Sequence, residues 1–262
     1  MKKKKEKIYF NDHWGEMTTH LKNFIETGQQ EELHQFRVQV KKLRAMLELL
    51  DVNSGKHLLQ KDFKPVRKIF KRCGEIREAF IHMQYGHRFH FKNEDFFMNH
   101  LYEIEKGTNE VKDLGKQYLK TIKSAHDDIG DDLQHVGNKD IVEFYKARLY
   151  NIGSFLENLQ FNDDLHATRK QIKTLMYNRK IAQNALDGKL QISNDYLDKL
   201  QTLIGDWHDN VLALELFSSA GFNSKPIITK IKSQNTRLKR SITALAHDFE
   251  RKAIVTQQLS MH

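Results

Sequence analysis

The chain has 262 residues, with 43 Lys and Arg against 34 Asp and Glu for a formal charge of +9, and a single cysteine, Cys73. That length can bury a large core in one domain or two small ones, one cysteine excludes an internal disulfide, and no segment approaches the roughly 20 apolar residues of a membrane span. With only 2 prolines and 13 glycines, its long charge-rich segments read as an almost wholly helical protein, because strands need far more turn chemistry.

In chain order, the lysine-rich MKKKKEK opens an expected basic, disordered tail over residues 1–10, with no apolar run of signal-peptide length behind it. Helices are expected near 12–27, 31–52, 62–84 and 92–127, the last broken around Gly107, and then near 138–159, 163–187, 192–219 and 224–256. Breaks fall between them, at Ser54-Gly55, Gly86 and Gly188 among others. Pro65 and Pro226 fit first turns capped by Asp62 and Ser224, and Thr27 and Asn162 are candidate caps for the helices at 31 and 163. Four helices in each half give an all-α chain of two four-helix bundles, about 11–130 and 138–256, within one domain spanning 11–256.

The second helix carries two periodic signals. Leu33, Phe36, Val40, Leu43, Leu47 and Leu50 recur at steps of three and four and form a core face. His34, Arg37, Lys41, Arg44 and Glu48 follow the same rhythm one residue later. A solvated face normally mixes its charges into i,i+4 pairs, whereas this stripe sets four donors in a row before any acid. From His34 to Arg44 it runs roughly 15 Å at about 1.5 Å per residue, too long for one phosphate and suited to an extended polyanion. On the next helix Cys73 lies on the apolar arc with Phe63, Val66, Phe70 and Ile76, as a small core residue would.

The same pattern returns in the second half. HQFRVQVKKL, His34–Leu43, recurs as HATRKQIKTL, His166–Leu175, at an offset of 132, and CGEIRE, Cys73–Glu78, recurs as IGDWHD, Ile204–Asp209, at 131. Two motifs that keep nearly one spacing indicate a duplicated helical bundle.

H-x-x-R-x-x-x-K-x-L near the start of each half, followed one helix later by G-x-x-R-[DE], resembles the CHAD family, histidine-containing α-helical domains that bind inorganic polyphosphate. KKLRAMLELL and KTLMYNRK look like that family's continuations, and the resemblance covers about Asn11 to Arg251. It implies two bundles related by a pseudo-twofold axis, their basic stripes lining a shared channel or cleft. Carried over by position, the polyphosphate contacts are His34, Arg37, Lys41, Arg44 and Arg77 in the first half and His166, Arg169 and Lys173 in the second, with Lys71 as an accessory contact. Three departures stand out: Met176 where Arg44 has its counterpart, His208 for the second motif's arginine, and Glu78 for the first motif's aspartate. The second half is thus the weaker electrostatic wall.

Other readings bear on the same residues. Arg77 falls within the apolar arc of its helix, where an ion pair with Glu78 or an acid of a neighbouring helix serves as well as a ligand. His208 beside Asp209 reads equally as a histidine held by a carboxylate. Trp14 and Trp207 read as core, since neither sits among clustered bases and aromatics. Glu31-x-x-His34 and Asp163-x-x-His166 echo the carboxylate-x-x-His of di-iron bundles, but a metal site would not keep an arginine and a lysine on the same face. The acids suit helix N-termini. A phosphorelay histidine would need small neighbours, and Phe36, Arg37 and Lys41 crowd His34. The alternating E-x-E-x-K signature of the triphosphatase domains often fused to this family does not occur in the sequence. The expectation is a non-enzymatic protein without metal or cofactor, located in the cytoplasm and at polyphosphate granules, with polyphosphate or another phosphate-rich polyanion as partner. Nucleic acid is the alternative, although no helix-turn-helix, RNA-binding sheet motif or zinc-finger spacing is present.

Overall fold

The computed structural model describes residues 3–53, 58–133, 135–187, 189–219 and 221–254. Its helices are α1 (Lys3–Thr27), α2 (Gln30–Leu50), α3 (Leu59–Asp62), α4 (Lys64–Arg88), α5 (Glu94–Asp113), α6 (Gly115–Asp132), α7 (Asn138–Glu157), α8 (Asp163–Leu186), α9 (Asn194–Ser218), α10 (Lys225–Ala246) and α11 (Phe249–Ala253). The fold is all-α, and among the described residues the extended pairing is confined to one bridge between Ile192 and Ile254. The chain divides into two compact units, the first ending at His135 and the second beginning at Val136.

In the first unit α1 and α2 form a hairpin closed by Gly28, whose φ of 72° is the left-handed conformation that glycine adopts without strain. The six apolar positions read on α2 are all buried, and α2 packs on α1, where Phe10, Met17, Leu21 and Phe24 are buried too. α2 also packs on α4, α4 on α5, and α6 on α1 and α4. Cys73 is fully buried, and burial pushes its thiol up to about 12, so it is a core atom rather than a nucleophile.

Three expectations are corrected here. The lysine-rich segment is helical from Lys3, because the apolar face of α1 continues past Trp14 to Phe10, and Glu6, only 2 % exposed, accepts a hydrogen bond from His135 Nδ1 at 3.2 Å. The segment 92–127 is two helices broken at Leu114 rather than at Gly107, giving the first unit five long helices instead of four. Gly107 is a packing glycine, since a Cβ there would lie 2.7 Å from Ile76 Cγ1, whereas Gly115 meets Ile25 of α1 so closely that a Cβ would lie 2.9 Å from Cγ2. Gly86 likewise stays helical, and α4 runs on to Arg88. The expected breaks at Ser54-Gly55 and Gly188, and the end of the last helix at 255–256, lie outside the described residues.

In the second unit α8 packs on α7 and α9, and α9 on α10. Tyr145 Oη donates to Leu175 O at 2.8 Å and Tyr196 Oη to Leu245 O at 2.7 Å, fastening neighbouring helices through second lone pairs of helical carbonyls. The last expected helix is divided at Asp248, which takes φ 55° and turns α11 back toward α7 and α9. Asn162 caps α8 by accepting from Asp164 N at 3.0 Å, and Ser224 is the N-cap of α10 with Pro226 in its first turn. α4 has Pro65 in its first turn as expected, but Phe63 is its N-cap in place of Asp62. For α2 the N-cap is Gln29, and Thr27 Oγ1 accepts from Gln29 N at 3.2 Å instead of capping the helix directly.

If the first turns of α1 belong to the core, Phe10→Ala should cost about 3–5 kcal/mol of stability. Urea denaturation would check this, and a variant as stable as the parent would show that the segment before Asp12 is a dispensable tail.

Candidate functional site

Each unit sets a motif arginine across a glycine of the neighbouring helix. In the first, Arg37 of α2 reaches α4, where Nη1 donates to Phe70 O at 2.6 Å and the guanidinium lies 4.0 Å from the Phe70 ring centroid. Gly74, one turn on, leaves the space, for a Cβ there would lie 3.0 Å from Nη1. In the second, Arg169 of α8 reaches α9, where Nε donates to Gln201 O at 2.9 Å. Gly205 is again one turn on, and a Cβ would come within 2.6 Å of Nη2 and 2.9 Å of both Cζ and Nε. Glycine within a helix costs about 1 kcal/mol relative to alanine. Here it opens the side of a helix so that a guanidinium can reach a carbonyl oxygen already engaged in the ladder. Among the described residues neither arginine is ion-paired with a carboxylate. Each spends one of its five donors on the neighbouring helix and keeps the rest.

Other predicted residues gather at these anchors. In the first unit His34 feels the charges of Arg77, Lys41 and Arg37, so α2 and α4 bring these four together. Arg77 is half-buried, with its guanidinium 5.0 Å from the Phe80 centroid. It forms no ion pair with Glu78 among the described residues; Glu31 is the acid whose charge reaches it. Arg44 and Lys71 are exposed, and among the described residues no contact joins either to the cluster.

In the second unit His166 and His208 stack with centroids 3.8 Å apart and planes 18° apart. The Asp209 charge favours the protonated form of His208, but the ring packs on His166. Lys173 is half-buried, its Nζ 5.4 Å from the Tyr177 centroid and its charge opposed by Arg169. Met176 is partly buried on the same helix. Lys170 and Tyr177 are the members that sequence reading missed. Lys170 acts on both histidines, and its i,i+4 relation to His166 was the available signal. Trp14 and Trp207 are core, each 4 % exposed.

Crowding of buried cations sets the electrostatics. Burial, followed by Arg77, holds His34 below the usual histidine value. Burial, followed by His208, takes His166 down to about 4, and its Nδ1 is buried without a hydrogen-bond partner. Burial lowers His208, Arg37, Arg77 and Lys173 in the same direction. Around neutral pH the histidines are therefore neutral in the free protein while arginines and lysines carry the charge.

Two outcomes follow. Gly205→Ala should be destabilising in the parent, because the roughly 1 kcal/mol gained in helix propensity does not match a charged hydrogen bond worth about 1.5–3 kcal/mol. In an Arg169→Ala background the same change should become stabilising; a double-mutant cycle by denaturation would check the reversal, and equal effects in both backgrounds would remove the anchor. The second concerns pH. The unfolded chain protonates His166 near 6.5 and the folded chain only near 4, so the unfolded state binds more protons in that window and stability falls as pH drops through it. Denaturation at pH 7 and pH 5 should show this loss reduced in His166→Gln.

The comparisons with known proteins agree with this architecture. Residues 146–218 match the model of the CHAD domain. The structure is similar to the crystal structure of the CHAD domain from the plant Ricinus communis, with a TM-score of 0.63 at 15 % identity over 94 % of this chain and 91 % of that one. No curated protein sequence matches. The family model falls on the helices that carry the Arg169 anchor and the histidine stack, and the chain shares the fold of that CHAD domain over nearly its entire length.

Proposed function

We propose that this protein binds inorganic polyphosphate, without transforming it, through the arginine-centred clusters of its two units. The observation that carries the reading is the pair of glycine-seated arginines, fixed to helical carbonyls and flanked by cations, with no carboxylate ion-paired to either among the described residues. Confining cations to such places costs desolvation and mutual repulsion, and a ligand with regularly spaced negative charges relieves both. A polyphosphate also suits the elongation of the first cluster, since His34, Arg37 and Lys41 follow one another turn by turn along α2. The neutral histidines fit the same role, as ring N–H donors or, beside a polyanion, as added cations. The match of residues 146–218 to the CHAD domain model supports the reading independently. So does the charge of the chain, which is moderate enough that a strong anion site depends on arrangement. No helix of the described residues is long and apolar enough to cross a membrane.

The reading is of binding, because the groups that would perform hydrolysis are poorly placed for it. A metal-dependent hydrolase needs acids converging on a cation, whereas these clusters surround each histidine with arginine and lysine.

Titration of polyphosphate against DNA and RNA at equal phosphate concentration tests the proposal. Polyphosphate should bind more tightly, with affinity falling log-linearly with salt at a slope reflecting about six to eight phosphate contacts, taking roughly 0.9 per contact from duplex DNA as the guide. Affinity indifferent to salt, or preference for nucleic acid, would sink it. The exposed first-unit pair Lys41→Gln and Arg44→Gln should each weaken binding by about tenfold, the equivalent of one charge-assisted contact. Lys173→Gln should cost less, and Met176→Arg should strengthen binding, because the second unit holds fewer accessible cations beside its neutral histidines.

A further inference from the structure

Outside both clusters, α10 is the most one-sided charged surface of the second unit. Residues 216–247 contain no Asp or Glu, while α10 carries Lys225, Lys230, Lys232, Arg237, Lys239 and Arg240. All six are exposed, and the opposite face, with Ile227, Ile231 and Ile242, is buried against α9. Solvated helices ordinarily intersperse acids to pair their lysines. This one does not, and among the described residues Lys225, Lys232 and Lys239 have no ion-pair partner.

The cations fall into rows. Lys225, Lys232 and Lys239 are seven residues apart, so at about 20° of drift per heptad they share one line of roughly 21 Å. Lys230 and Arg237 form a second row on the far flank, with Thr229, Ser233, Thr236 and Arg240 between. The Lys239 end of the first row is linked to the site by a relay of ring contacts. Lys239 Nζ lies 5.0 Å from the Phe161 centroid, Phe161 lies 5.6 Å from Trp207, and Trp207 lies 6.3 Å from His208 of the histidine stack. Phe161 thus holds one end of the row beside the N-terminal end of α8.

We infer that the row Lys225–Lys232–Lys239 is a docking track for the extended part of a long linear phosphate chain whose other part occupies the Arg169 cluster. The inference rests on the polyphosphate reading and adds a chain-length preference to it. A single flexible strand of phosphates can follow one row of lysines spaced two turns apart. A duplex lying against the helix would engage both flanks. The apolar face is committed to α9, so α10 has none to insert into a bilayer. The row also supplies the second unit with cations where its cluster has Met176 and a neutral His208.

The test compares long-chain polyphosphate with tripolyphosphate on the intact chain, in the parent, in Lys225→Gln/Lys232→Gln/Lys239→Gln, in Lys230→Gln/Arg237→Gln, and in Arg169→Gln. Glutamine keeps helix propensity close to that of lysine. The first variant should lower the ratio of long-chain to tripolyphosphate affinity by about tenfold or more and reduce the salt slope for the long chain by about 2 to 3. The Lys230/Arg237 variant should leave that ratio within about twofold of the parent on the same phosphate-contact argument. An unchanged ratio in the three-lysine variant, in a protein that still binds polyphosphate and loses affinity with Arg169→Gln, overturns the track and leaves the cluster standing. Equal losses from both rows, with duplex DNA competing against the long chain, overturn it in favour of a duplex-binding face. A parent that binds no polyphosphate overturns the functional reading itself.

Discussion

The guanidinium laid across a helical glycine is the interaction on which the rest of each unit's site depends. It bears on the separation of the two motif helices, since a Cβ at Gly205 would crowd the Arg169 guanidinium and one at Gly74 would press on Arg37 where each reaches a carbonyl of the next helix. It also decides where charge resides. Once the arginine is anchored, the histidine one turn earlier and the lysine one turn later on the same helix are drawn toward it whatever their mutual repulsion. The two motifs of each half, a helix apart in sequence, are therefore one structural device: the first supplies the cation and the second its seat.

Such a device concentrates positive charge where solvent cannot fully screen it. The folded chain meets the cost in part by leaving its histidines neutral. His166 and His208 can stack at 3.8 Å because burial disfavours the imidazolium form of both rings and so limits their charge repulsion. In the first unit the equivalent place is held by Arg77, a permanent cation resting against Phe80 and within the field of Glu31. The units thus solve one problem differently, with a fixed charge in the first and a titratable pair in the second.

Packing glycines extend the same logic beyond the site. Gly107 admits Ile76 and Gly115 admits Ile25, so helices approach where a methyl group would hold them apart. The chain uses several of its few glycines to bring helices together rather than to end them, and a breaker-based reading of α5 and α6 consequently misplaced their boundary. Leu114, with no residue type that announces a turn, takes the break because the packing of Gly115 against α1 redirects the chain there.

Much was legible in the sequence, and the reason is periodicity. The apolar rhythm of α2 specified its buried face residue by residue, the paucity of proline and glycine specified an all-α chain, and the order of H-x-x-R-x-x-x-K-x-L and G-x-x-R-[DE] carried the resemblance to the CHAD domain that the family model matches over residues 146–218. Those signals are local, carried by residues within a few turns of one another. Tertiary structure decided what depends on a partner helix. It drew the lysine-rich start of the chain into α1 by burying Glu6 and Phe10, and it gave Arg37 and Arg169 a carbonyl to hold. It stacked His208 on His166 where the sequence offered only the neighbouring Asp209, and it left Arg44 and Lys71 exposed. A helical wheel records which side of its own helix a residue occupies. Contact with a second helix depends on how closely the two axes approach, and here that distance is set by the absence of a side chain at Gly74 and Gly205.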